Sequence, residues 1–254
     1  MSPVVELRSV PGLREIVPGV RLGAEIAAAI RAAGIAIDDE SVIVVSQKVV
    51  SKAEGRTRAL AGIDPGAHAL DLGATLGKDA RLVELILAES RRIVRAERGV
   101  LICETHSGLV CANAGIDASN VPGTDRVTLL PHDPDLSARR LRDEIKRAAG
   151  VAPAIVVADS FGRPWRRGQT DVAIGCAGLV ALDDWRGERD REGRELTATA
   201  VAAADEIAAA ADLARDKVSG EPVIVVRGAG RFVTAADGAG AGALRRAEAE
   251  DLFR

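Results

Sequence analysis

Three runs, VIVV at 42–45, AIVVA at 154–158 and VIVV at 223–226, carry no polar side chain on either face. Strands without polar alternation are covered on both sides, so these three read as buried strands. Helical spacing lies between them. Leu22, Ile26, Ala29 and Ile30 share a face up to Gly34. The spacing also predicts a helix over 79–95, with Leu82, Leu85, Ile86 and Ile93 on one side and Arg91, Arg92 and Arg95 in its last turns. Cations there suit the helix dipole. Residues 136–149 and the Ala-rich 197–213 read as two more helices. Residues 4–7 read as a first strand, and 100–103 with 109–112 as a hairpin around Ser107-Gly108. The fold class expected is mixed α/β (α+β).

A chain of 254 residues buries roughly 72% of its unfolded surface and needs no covalent staples. No internal repeat or low-complexity linker appears. The Gly-Ala alternation at 238–242 suggests flexibility, so the expected division is one domain over 1–236. Residues 237–254 would then be a flexible tail or the start of a further domain.

Composition removes several function classes. Two Trp, three Phe and no Tyr leave little for base-stacking platforms or ring-walled flavin and haem sites. A net charge of −3 gives no electrostatic footprint for nucleic acid. The longest uncharged apolar run, 172–182, is too short to span a bilayer, and residues 1–12 lack a secretory pattern. The expectation is therefore a cytoplasmic protein with neither nucleic acid nor membrane as partner. Cys103, Cys111 and Cys176 imply no disulfide framework.

Four polar, Gly-rich segments could carry chemistry. SQKVVSKAEGR at 46–56 follows a buried strand with hydroxyls, two lysines and a glycine. It reads equally as a phosphate cradle or a solvated basic turn, and it lacks Walker spacing. In 113–120 the ordinary reading is a turn; the functional one makes Asp117 a ligand of a hard cation and Asn120 a hydrogen-bonding group. DSFGRPWRRGQ at 159–169 puts Asp159 and Ser160 at a strand's end. Oxygen ligands of that kind suit Mg2+ or Mn2+. Arg163, Arg166 and Arg167 follow with no acidic residue among them, which favours a bound phosphate or carboxylate over a salt-bridge loop. CETHSGLVC at 103–111 matches no zinc spacing and reads as two buried thiols on a hairpin. The residues alone support a phosphate- and metal-binding α/β enzyme.

Taken in order, VPGL (10–13), VVSKAEGR (49–56), GKDARLVELIL (77–87), CANAGIDASNV (111–121), DSFGRPWRRGQ (159–169), DWRGERD (184–190) and PVIVVRG (222–228) resemble the coenzyme F420:γ-glutamyl ligase family. The resemblance runs from about residue 10 to 235. It implies a GTP-dependent amide ligase that adds L-glutamate to the lactyl carboxylate of the coenzyme precursor and then extends a γ-linked tail. An acyl phosphate would be the activated species, with Mg2+ or Mn2+ (two ions) offsetting charge and K+ as a candidate monovalent ion. Carried over residue by residue, Asp117 and Asp159 match ligands of a first ion, and Ser160 and Asp216 those of a second. Leu13, Arg14, Glu15, Ile16, Gln47, Lys48, Lys52 and Asn120 match the nucleotide site. The family also implies an intertwined homodimer. Arg163, Arg166 and Arg167 as substrate contacts come from the residues, not the family. The competing functions are a metal-dependent phosphohydrolase and a non-catalytic nucleotide- or deazaflavin-binding module.

Overall fold

The computed structural model describes residues 4–118, 125–215 and 220–251. In chain order the first elements are β1 (Glu6–Ser9), α1 (Leu22–Ala32), β2 (Val42–Ser46), α2 (Gln47–Ala53) and β3 (Thr57–Ala59). Then come α3 (Ala67–Leu76), α4 (Ala80–Ala88), β4 (Ser90–Glu97), β5 (Val100–Thr105), β6 (Val110–Ala112) and β7 (Arg126–Thr128). The remainder is α5 (Pro134–Ala149), β8 (Ala154–Arg163), β9 (Arg166–Ala177), β10 (Asp183–Asp184), β11 (Ala200–Val201), α6 (Ala203–Asp212) and β12 (Val223–Arg227).

The three apolar runs become β2, β8 and β12 of one five-stranded sheet, ordered β1-β12-β2-β8-β9. Only β2 and β8 pair in parallel; the other neighbours are antiparallel. Both faces are covered, as uninterrupted apolar strands demand. Ile43, Val45, Ile155, Val157 and Val225 pack with Ile26 and Ile30 of α1 and Leu141 and Ile145 of α5. Val42, Val44, Val156, Ile224 and Val226 face the other way, against Ala204, Ile207 and Ala208 of α6. A second core joins α3 and α4 to the smaller sheet β4-β5-β6 through Val83, Ile86, Leu101 and Cys103. The mixed α/β expectation holds, with several sheets.

The helix expected over 79–95 is half strand. It starts on the Asp79 cap, which accepts from Arg81 N at 2.9 Å, and stops at Ala88. Residues Ser90–Glu97 then pair with β5, placing Ile93 opposite Cys103 and Arg92 within 2.8 Å of Glu104. The turn between them has Arg98 and Gly99 at φ 51° and 76°. Two successive positive φ values match the twist of a tight hairpin, and that pairing outweighs local helical spacing. The Ala-rich helix likewise spans only Ala203–Asp212, because residues 200–201 pair with 183–184. The first strand lies two residues later than expected, and β8 runs on to Arg163.

The segment 238–242 is docked. Ala241 is buried, and its N–H and that of Gly242 donate to Asp135 at 2.7 and 3.3 Å. Its glycines serve close approach, since Gly240 lies at φ 77° where a Cβ would meet the Asp135 carboxyl at 2.4 Å. Flexibility inferred from composition is therefore corrected. Among the described residues no helix is long and apolar enough to cross a membrane.

Candidate active site

The polar centre lies where β8 leaves the core. Up to Val157 the strand pairs residue for residue with β9, Val157 opposite Gly175; the next pair is Ala158 with Ala173. The extra residue is a bulge, and bulges re-aim the side chains that follow. Gly175 is required there because a Cβ would sit 2.3 Å from the Pro134 carbonyl. Asp159 and Ser160 come immediately after, within a strand and not at its end as the sequence suggested.

Asp159 is the most perturbed carboxyl, pushed up to about 7. Burial is the main cause; the negative charges of Asp171 and Asp117 add to it, while the Ser160 N–H and Lys48 oppose it. Asp117 reaches the centre from the other core: its N–H and C=O pair with Thr128 of β7 at 3.0 and 2.8 Å. Lys48, in the first turn of α2, bridges to Asp117 at 2.8 Å. The segments 46–56, 111–118 and 154–163 thus meet as three neighbouring walls.

Two of the expected nucleotide contacts also converge. Lys52, one turn after Lys48, pairs with Glu15 at 2.7 Å, which brings residues 13–16 against α2. Leu13 and Ile16 pack into the core beneath; Arg14 is exposed. Gln47 is fully buried and accepts from Ser51 Oγ at 2.9 Å. Its Nε2 has no hydrogen-bond partner among the described residues, nor do Asn113 Oδ1 and Thr128 Oγ1. Orphaned buried polar atoms are costly, and two of them lie on residues next in chain or in backbone pairing to the Lys48–Asp117 bridge: Gln47 precedes Lys48 and Thr128 pairs with Asp117. Asn120 and Asp216 lie outside the described residues.

The arginines are not part of this centre. Arg163, Arg166 and Arg167 sit at the exposed tip of the β8–β9 hairpin, with Arg163 about 13 Å of extended strand beyond Asp159. Arg163 is spent on the tip itself, donating to the Arg167 carbonyl at 2.8 Å.

The sequence reading missed Asp171 and Arg215. Asp171 faces Ser160 across the hairpin, accepts its hydroxyl at 2.6 Å and pairs with Arg215. A polar residue at 171, beside the apolar run 172–182, was the available signal.

Among the described residues no three His, Cys, Asp or Glu side chains form a cation cage. The carboxylates that do approach one another, Asp117 and Asp159, still fit Mg2+ or Mn2+, with the Ser160 hydroxyl next along the strand. Such ions take one or two protein carboxylates and fill the rest with water and substrate phosphate oxygens. The burial and, secondarily, the neighbouring negative charges that lift Asp159 are what a divalent cation would offset.

The thiols are inert packing. Cys103 and Cys111 are buried directly opposite one another on β5 and β6, and Cys176 is buried in the cluster that holds α6. Burial pushes Cys111 and Cys176 up to about 12. At pH 8 that leaves about one thiolate in 10,000. Intact mass spectrometry should show no carbamidomethyl adduct at either site on the native chain after an hour with iodoacetamide, and full labelling after denaturation.

Comparison with known proteins decides what this arrangement belongs to. The F420-0:Gamma-glutamyl ligase family matches residues 12–228. The chain belongs to that family. It is 41% identical over 251 residues to a coenzyme F420:L-glutamate ligase of Methanothermobacter thermautotrophicus, covering 98% of this chain and 99% of that protein. A protein of the same description from Methanopyrus kandleri is 39% identical over 254 residues, covering 99% and 98%. Another from Haloarcula marismortui is 44% identical over 220 residues, 84% of each. All three walls of the centre lie inside the matched family span.

Proposed function

We propose that the chain is a coenzyme F420:L-glutamate ligase, joining the glutamate amine to the carboxylate of the coenzyme precursor at the expense of GTP. The observation that carries this reading is the meeting of Asp117, Asp159 and Lys48 at one point, within a chain whose family does this chemistry. A carboxylate is unreactive toward amines until one oxygen becomes a leaving group. Transfer of the terminal phosphoryl group of GTP to that oxygen gives an acyl phosphate and GDP. The glutamate nitrogen then attacks the acyl carbon, the C–N bond forms, phosphate departs, and the nitrogen loses its proton.

The protein's part is positioning and electrostatics. Asp117, Asp159 and Ser160 would hold Mg2+ or Mn2+, which offsets charge on the phosphates; Asp216 would complete a second site, and K+ is a further candidate. In the described structure Lys48 already neutralises Asp117, so an arriving phosphate and its cation would compete for both groups. Leu13 to Ile16, Gln47, Lys52 and Asn120 would hold the nucleotide; the Lys52–Glu15 pair, which brings residues 13–16 against α2, supports that grouping. We assign this activity to residues 1–236. A reaction on GTP and glutamate belongs in the cytoplasm. We also propose a homodimer, on the strength of the family resemblance alone.

The test is a mass assay. Purified protein, unglutamylated coenzyme, L-glutamate, GTP and Mn2+ or Mg2+ should give a mass gain of one or more glutamyl units, absent when any component is omitted. GTP loss without mass gain would point instead to a phosphohydrolase. Coenzyme binding with neither activity would leave a binding module.

A further inference from the structure

We infer that Asp171, clamped by Arg215, is the positioning residue that fixes Ser160 Oγ as an oxygen donor toward a divalent cation. The inference rests on the reading of Ser160 as a cation ligand and goes on to name what prepares it. The Asp171 side chain is 2% exposed in the middle of a hairpin. A carboxylate so placed is costly unless each oxygen is matched. Both are: Oδ1 takes the Ser160 hydroxyl at 2.6 Å and Oδ2 takes Arg215 Nη2. Arg215 is 11% exposed and steadied in turn by Asp212, whose Oδ1 accepts from Nε at 3.0 Å.

The consequence follows from counting protons. A serine hydroxyl owns one hydrogen. With that hydrogen committed to Asp171, the oxygen can meet anything on its other side only as an acceptor, and the carboxylate makes its lone pairs more basic. Outer groups that orient ligands in this way are the general means by which proteins prepare a metal site. The trio of Asp171, Asp212 and Arg215 also keeps one net negative charge beside Ser160, which favours a cation.

The test uses the full chain, Mn2+ as the probe and a non-hydrolysable GTP analogue, with free Mn2+ read by electron paramagnetic resonance. Ser160→Ala and Asp171→Asn should each weaken the weaker Mn2+ site tenfold or more, with the bound-Mn2+ spectrum altered. The double variant Asp171→Asn with Arg215→Met removes both buried charges together. It should recover the melting temperature lost in Asp171→Asn while Mn2+ binding stays tenfold weak. Recovery of wild-type Mn2+ affinity along with stability would reduce the pair to a structural tie and overturn the inference. Asp171→Asn binding Mn2+ within twofold of wild type, beside a weakened Ser160→Ala, would overturn it too and leave the ligand reading standing. If Ser160→Ala binds like wild type, the reading of Ser160 falls and takes this inference with it.

Discussion

Asp159→Asn is expected to lower glutamate addition at least a thousandfold and, in cation-free buffer, to make the protein more stable. Both effects have one cause. The carboxyl is held above its ordinary range, at about 7, by burial first and then by the charges of Asp171 and Asp117. The unfolded chain loses this proton near the ordinary value of 3.8, the folded chain near 7. Between those values the folded state binds more proton than the unfolded one, so its stability falls as pH rises through that window and is flat above it. Asparagine has no charge to bury, so the variant escapes the loss. The two proteins should melt together below pH 4. By pH 8 the variant should lead by on the order of 2 kcal/mol, after discounting for partial exposure, or roughly 4–8 °C. Calorimetry in chelator at pH 4, 6 and 8, beside the mass assay, checks both halves. A variant that melts lower at pH 8 would show that the carboxylate is already satisfied without a cation. Stability given up at a charged centre is the usual signature of a functional site.

Arg142→Met should cost about 3–5 kcal/mol, enough to lower the melting temperature by roughly 10 °C. Arg142 is nearly sealed, and all its nitrogens are used. It donates to the carbonyls of Pro153, Ala152, Thr234 and Ala235 at 3.2, 3.3, 2.8 and 3.1 Å, and to Asp237 Oδ1 at 2.9 Å. Methionine fills comparable space but strands the carbonyls of Pro153, Ala152 and Thr234, each costing about 1–3 kcal/mol before relaxation, while exposed Ala235 and Asp237 can turn to water. The neighbouring Gly178 leaves room for the guanidinium; a Cβ there would lie 2.5 Å from its Cζ. Hydrogen exchange should locate the damage in residues 229–244, which this arginine fastens to α5. Loss of less than about 1 kcal/mol would mean that the docked segment contributes nothing to the fold.

The segment 238–242 shows why composition misjudged it. Gly-Ala alternation lowers the cost of disorder, but here the same small residues let the backbone lie against Asp135. Close approach and flexibility select identical residues. The misread helix at 79–95 has a similar origin: Ile93 fits both a helical stripe and a strand facing Cys103, and only the pairing partner chooses.

What sequence alone determined is the part encoded locally. Apolar runs with no alternation require burial on both faces, so β2, β8 and β12 were legible as the centre of a layered α/β fold. Asp159 stood out from the residues themselves, whereas Asp117, Lys48 and Lys52 read as well or better as turn residues and were singled out by the family resemblance. Tertiary structure decided the rest. It paired β8 with β9 through a bulge, which sets Ser160 against Asp171, and it turned Arg163, Arg166 and Arg167 outward to a hairpin tip. It also closed Arg215 over a carboxylate 44 residues away. Those choices depend on register and through-space charge, and neither is written in the spacing of residues along a chain.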